Sequence, residues 1–220
     1  MSLSHRHDCP QERLRHRQKS VLKTKAILEG AMQEFLTNGY AATSMDRVAA
    51  TAGVSKATVY SHFQDKAGLF AALVQQLAED KFRTVFDPRN EGALQGEPRI
   101  VLSELAKKVL DNAASDSQFC EFMRLIVGES GRFPELAKPY VQNVAKPLLD
   151  SLTRYLSSRT ELGLSDPEAI ARVFAGTLIY FVILQRVLGG QEFMPLESDR
   201  IITSLVDLIA PPAPHKLKQL

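Results

Sequence analysis

The chain has 220 residues, 45% hydrophobic and 24% charged, enough to bury a core as one domain or as a small domain joined to a larger one. That balance argues against a disordered or membrane chain, and the length against one enzyme-sized barrel. The net charge of +2 hides an asymmetry: Met1–Lys66 carries ten Lys and Arg against six Asp and Glu, Ala67–Leu220 seventeen against nineteen, so the basic end is N-terminal.

Residues 1–19 are polar, rich in His and Arg and without hydrophobic periodicity, which predicts a flexible basic arm. From Val21 to Leu36, Ile27, Ala31 and Phe35 recur at four-residue spacing beside Leu28, Met32 and Leu36, one wide apolar face at helical period. Asn38-Gly39 supplies a stop. Thr43 and Ser44 are good N-cap residues for a short helix carrying Met45, Val48, Ala49 and Ala52. Gly53 breaks it, Ser55 caps a second short helix through Phe63, and Asp65 caps a longer one. The first domain is thus expected over 20–80. Asp87–Pro98 marks a loop, with two prolines and two glycines.

The remainder, 81–210, is predicted helical, with helices near Ile100–Ala114, Ser117–Glu129, Pro134–Ser158, Pro167–Leu188 and Glu197–Ile209, and a tail over 211–220. With no strand-like alternation and no internal repeat, the expected fold class is all-α. Cys9 and Cys120 are too few for a disulfide framework, and the first twenty residues hold no apolar signal core; both point to the cytoplasm. The apolar run Val173–Leu184 is shorter than the roughly 20 residues that cross a bilayer. It reads as a buried helix, and no membrane partner is expected.

Ala49 and Gly53 are the small residue and the positive-φ residue that two helices meeting at a tight turn require, with Val48, Val54 and Val59 fixing their angle. A plain helical hairpin has the same spacing. Residues 44–63 are favoured as a DNA-reading motif by the donors Ser55, Lys56, Thr58, Tyr60, His62 and Lys66 on or beside the second helix. Val59 and Phe63 are expected in the core, and Tyr60 is expected to pack its ring while its hydroxyl reaches outward. Arg13, Arg15, Arg17, Lys19, Lys23 and Lys25 are expected to add salt-dependent affinity.

On these residues, Ala26–Phe70 (AILEGAMQEFLTNGYAATSMDRVAATAGVSKATVYSHFQDKAGLF) resembles, without a gap, the N-terminal domain of the TetR/AcrR family of bacterial regulators. The resemblance implies a three- to four-helix DNA-binding domain followed by a larger helical domain for ligand binding and dimerisation. It also implies that Thr43, Ser44, Tyr60, His62 and Lys66 hold phosphates while Lys56, Ala57 and Thr58 face base edges. Ala57 and Ser61 stand where that family often has glycine and tyrosine. The segment Gly128–Ala137 (GESGRFPELA) resembles the AefR-like type of C-terminal domain.

The implied partners are a double-stranded DNA operator, a second copy of the chain packed through the last two long helices, and a small apolar effector. The function expected is repression released by that effector. Candidate lining residues are Phe119, Phe122, Met123, Ile126, Phe174, Tyr180 and Phe181, although residues of this kind are more often plain core. No cofactor is expected. An enzyme is disfavoured because no nucleophile, base and orienting partner converge. A metal sensor would draw on His5, His7 and Cys9.

Overall fold

The computed structural model describes residues 10–77, 96–115 and 117–212, apart from the side chains of 10–14 and 16. The metal-sensor reading of His5, His7 and Cys9 and the tail beyond residue 212 therefore lie outside the described residues. All regular structure among the described residues is helical. Two compact units divide between Leu73 and Val74, within a helix. Residues 78–95, which include most of the expected boundary loop Asp87–Pro98, lie outside the described residues.

The first unit begins with α1 (Pro10–Ala42), which breaks at Gly39, where φ is 74° and ψ 170°. Ile27, Ala31 and Phe35 are fully buried, as their four-residue spacing predicts. Pro10–Lys19 is helical, although an arm was expected there. Leu14, Gln11, Glu12 and the Arg and Lys residues are good helix formers, so a helix can form there without apolar periodicity.

Then follow α2 (Met45–Thr51), α3 (Lys56–His62) and α4 (Lys66–Leu77). The α2–α3 turn closes with Gly53 N–H donating to Ala50 O at 3.2 Å and Val54 N–H to Ala49 O at 3.0 Å, the paired bonds of a left-handed helix cap. Gly53 holds φ at 65°, as required. Phe35, Tyr40 and Phe70 form an aromatic triangle with centroids 5.4–5.6 Å apart.

The second unit packs α5 (Pro98–Ser115) and α6 (Ser117–Glu129), then α7 (Ala137–Tyr140) running on into α8 (Lys146–Ser158), then α9 (Pro167–Val182) and α10 (Ser198–Ile209). Leu102, Leu105, Leu152, Leu156, Phe174, Leu178, Leu205 and Val206 of α5, α8, α9 and α10 share one core. Arg99 ties the start of α5 to the end of α10, reaching Asp207 at 2.7 Å and Ala210 O at 2.6 Å.

Two wide turns interrupt the helices. Val141–Ala145 ends where Lys146 N–H reaches back five residues to Val141 O, just before Pro147, which has no N–H and would crowd the carbonyl four residues back. Ile183–Val187 ends where Leu188 N–H bonds Ile183 O at 2.8 Å.

The helix Pro167–Val187 is long and apolar enough, by length and composition, to cross a membrane. The expectation that the run Val173–Leu184 forms a buried helix holds for one face. Ala171, Phe174, Leu178 and Val182 are buried, while Val173 is 52% and Tyr180 64% exposed. One face serves the core and the other faces outward.

A close crossing and the left-handed turn fix the first unit. A Cβ at Gly30 would lie 3.0 Å from the Ala52 backbone nitrogen, so Gly30→Val should cost about 1–3 kcal/mol by pushing α1 off α2. Gly53→Ala should cost about 1 kcal/mol through its positive φ alone. Urea unfolding followed by circular dichroism reads both; Gly30→Val is expected to cost at least as much.

Candidate nucleic-acid interface

Seven residues make α3, and its order comes from its ends and one buried face. Ser55 caps it, its Oγ accepting from Thr58 N–H at 3.2 Å and lying 2.8 Å from Thr58 Oγ1. Val59 is fully buried, so Lys56, Ala57 and Tyr60 are held on the exposed side. Phe63, expected in the core, is half-buried. Ser44 caps α2 in the same way, accepting from Arg47 N–H at 3.3 Å. Two exposed, hydroxyl-capped helix starts are thereby set beside one cationic and one phenolic side chain.

Lys56 Nζ lies 2.8 Å from the Asp46 carboxylate and 5.9 Å from the Tyr60 ring centroid. The hydrogen bond that Lys56 donates to Asp46, and then the charge of that carboxylate, hold the ammonium proton more tightly than in a lone lysine. His62 Nδ1 lies 3.0 Å from the Thr24 hydroxyl, which donates to Ser20 O at 3.0 Å. The end of α3 is thus linked to α1 where the basic extension begins. Arg15, Arg17, Lys19, Lys23 and Lys25 are exposed along it; the side chain of Arg13 lies outside the described residues.

Thr43 and Lys66 are placed otherwise than their resemblance-based roles suggest. Thr43 is 2% exposed, its hydroxyl within bonding distance of Gly39 O at 2.8 Å and Glu34 O at 3.0 Å. Lys66 sends its ammonium to Tyr40 O at 2.7 Å, Thr43 O at 3.0 Å and Ala41 O at 3.3 Å, 4.4 Å from the Tyr40 ring centroid. An ammonium has three donors, and three carbonyls of the α1–α2 connection take them.

The structure therefore brings together Ser44, Ser55, Lys56, Ala57 and Tyr60 on an exposed surface, leaves Thr58 and His62 half-buried, and turns Thr43 and Lys66 inward. Sequence reasoning missed Arg47, exposed in the first turn of α2; a cation three residues past an N-cap serine was the available signal. It also missed Asp46, whose partner is ten residues away and on another helix.

The candidate effector residues do not share one environment. Phe174 and Phe181 belong to or pack on the four-helix core. Phe122, Met123 and Ile126 are buried on α6, Phe119 is half-buried and Tyr180 faces outward.

A capped short helix presented on the outside of a small helical unit, set by a glycine turn against a second capped helix, defines a helix-turn-helix DNA-binding protein. The tetR family model of bacterial regulatory proteins matches residues 27–73, and that of the C-terminal domain of AefR-like transcriptional repressors matches residues 100–210. The transcriptional regulator YhgD of Bacillus subtilis (strain 168) is 29% identical over 162 residues, 70% of this chain and 79% of its own length. The solved structure of a TetR-family regulator from Mesorhizobium loti MAFF303099 superposes with a TM-score of 0.69 at 25% identity, covering 86% of this chain and 96% of that one. The flavonoid-responsive regulator FrrA does so with a TM-score of 0.66 at 30% identity, over 83% and 91%.

The chain belongs to the TetR family of DNA-binding transcriptional regulators, with a C-terminal domain of the AefR-like type.

If Lys66 braces the unit, Lys66→Met should destabilise it by about 2 kcal/mol, the scale of hydrogen bonds made by a charged group. DNA affinity should fall with stability, but the slope of log affinity against log salt should stay that of the parent, since no phosphate contact is removed. Thermal unfolding and anisotropy titrations at several salt concentrations separate these two effects.

Proposed function

We propose that this protein is a homodimeric repressor that holds a DNA operator through α2 and α3 of each copy and releases it when a small apolar effector binds the second unit. The observation that carries the reading is the fully buried Val59 on a seven-residue helix whose opposite side exposes Lys56, Ala57 and Tyr60. In this reading Lys56, Ala57 and Thr58 face base edges in the major groove, and Ser44, Ser55, Arg47, Tyr60 and His62 hold phosphates. Thr43 and Lys66 act by positioning the connection that precedes α2. The exposed cations of α1 add sequence-independent affinity. Repression is favoured by the AefR-like repressor domain matched at residues 100–210, and a cytoplasmic site of action by the need to reach DNA.

A second copy is called for because one short helix buries little surface, whereas two half-sites about 34–36 Å apart add their affinities. The outward face of α9 supports α9 and α10 as the place of association. Val173, Gly176 and Tyr180 recur at helical spacing there, and Leu208 of α10 is 83% exposed. This reading moves Tyr180 from the effector site to the dimer face. Phe119, Phe122, Met123, Ile126, Phe174 and Phe181 remain as effector residues, and the flavonoid response of the relative FrrA supports an aromatic, largely apolar ligand.

Selection from a random duplex library with the purified protein tests the reading; recovery of no preferred, salt-sensitive site would sink it. Arg47→Ala and Tyr60→Ala should weaken binding to every duplex, with the Arg47 change flattening the salt slope by about 0.9. Tyr180→Glu combined with Leu208→Glu should yield a folded monomer in sedimentation velocity, because both side chains are exposed in the single chain. Monomer that still binds the selected site at parental affinity would refute the dimer. Compounds that raise the melting temperature should also release the selected duplex.

A further inference from the structure

The first cation of the recognition helix has a carboxylate at its side. Lys56 Nζ is 2.8 Å from Asp46 Oδ1 and 2.9 Å from Oδ2. Asp46 stands in the first turn of α2, where an anion suits the helix dipole, while Lys56 stands in the first turn of α3, where a cation does not. Both side chains are 60% exposed. A pair so exposed adds little to folding stability, yet it sets a negative charge on the very surface that must approach a polyanion. Stability does not account for that placement.

Selectivity does. A lone lysine on a flexible stem reaches for the nearest phosphate, which raises affinity for every duplex alike. A lysine paired with a carboxylate brings no net charge, so it releases few counterions, and phosphate approach is opposed by the carboxylate next to it. Its remaining N–H donors still suit neutral, fixed acceptors, and in the major groove the acceptor pair that lysine meets best is O6 and N7 of guanine. The Tyr60 ring, one turn on, has its centroid 5.9 Å from the same ammonium.

We propose that Asp46 is a specificity-determining, positioning residue: it holds Lys56 away from phosphates and toward a guanine edge. The inference rests on the reading of α3 as the helix that enters the major groove. It goes beyond that reading by assigning a role to a residue with no DNA contact of its own and by naming the base that is read.

The test uses the full chain as parent, D46N, D46E and K56Q, with site selection from a random duplex library for each. Anisotropy titrations across salt then follow, with the parent's recovered duplex and a shuffled duplex of equal length. The parent should recover sites with a guanine position whose preference relaxes in both D46N and K56Q. D46N should bind the shuffled duplex severalfold more tightly, with a salt slope steeper by about 0.9 as Lys56 gains a phosphate. Its preference for the recovered duplex over the shuffled one should fall about tenfold, and D46E should restore most of it.

A D46N protein with parental slope and parental base preference overturns the inference. So does one that loses affinity for both duplexes by one common factor, the behaviour of a merely structural aspartate, and so does a guanine preference that survives K56Q. Any of these, with a selective parent, leaves the DNA-binding reading standing. A parent that prefers no duplex overturns both.

Discussion

Helices of seven residues do not persist on their own, since isolated helices shorter than about 12–15 residues are marginal in water. Both α2 and α3 are that short, and every exposed group on them owes its position to what lies beneath. Val48 and Val59 are fully buried and Ala49 nearly so, and two backbone bonds across Gly53 fix the angle between the helices. Caps at Ser44 and Ser55 satisfy N–H groups that would otherwise fray. The exposed polar surface of the two helices therefore depends on apolar contacts and turn geometry beneath it.

The same dependence explains why several polar side chains serve as braces. Between α1 and α2 the chain reverses over few residues, leaving the carbonyls of Gly39, Tyr40, Ala41 and Thr43 in need of donors. Thr43 and Lys66 supply them. Glu34 accepts from Thr51 at 2.6 Å and from Asn38 at 2.9 Å, which joins α1 to α2. A hydroxyl or an ammonium has the same hydrogen-bonding capacity whether it meets a phosphate or a backbone carbonyl. Which one it meets is decided by tertiary direction.

That distinction marks how far the sequence could be read. Features written in neighbouring residues were legible: the four-residue spacing of Ile27, Ala31 and Phe35, the capping serines, the Gly53 turn, and the Ser117–Glu129 helix, whose bounds coincide with those observed. Features that require knowing what folds back on what were not. The inward turn of Lys66 depends on a connection 23–26 residues earlier, and the Lys56–Asp46 pair bridges two helices. The outward face of α9 was hidden for another reason. An all-round apolar helix looks alike whether its second face meets its own core or a second copy.

That ambiguity bears on how regulation can work in such a fold. The core face of α9 shares its packing with α5, α8 and α10, while its other face is left uncovered by the described residues. A ligand that altered the packing of Phe174 or Phe181 would act on the same helix that carries Val173 and Tyr180. It would move the equilibrium between arrangements only by as much as its affinity for them differs. Close packing makes this possible, because a dense core shifts as whole helices rather than absorbing a ligand locally. The wide turn at Ile183–Val187, gripped by Arg124 through Val187 O at 2.7 Å and Arg186 O at 2.9 Å, adds a second constraint. It ties α6, which carries Phe122 and Met123, to the end of α9 through directed bonds.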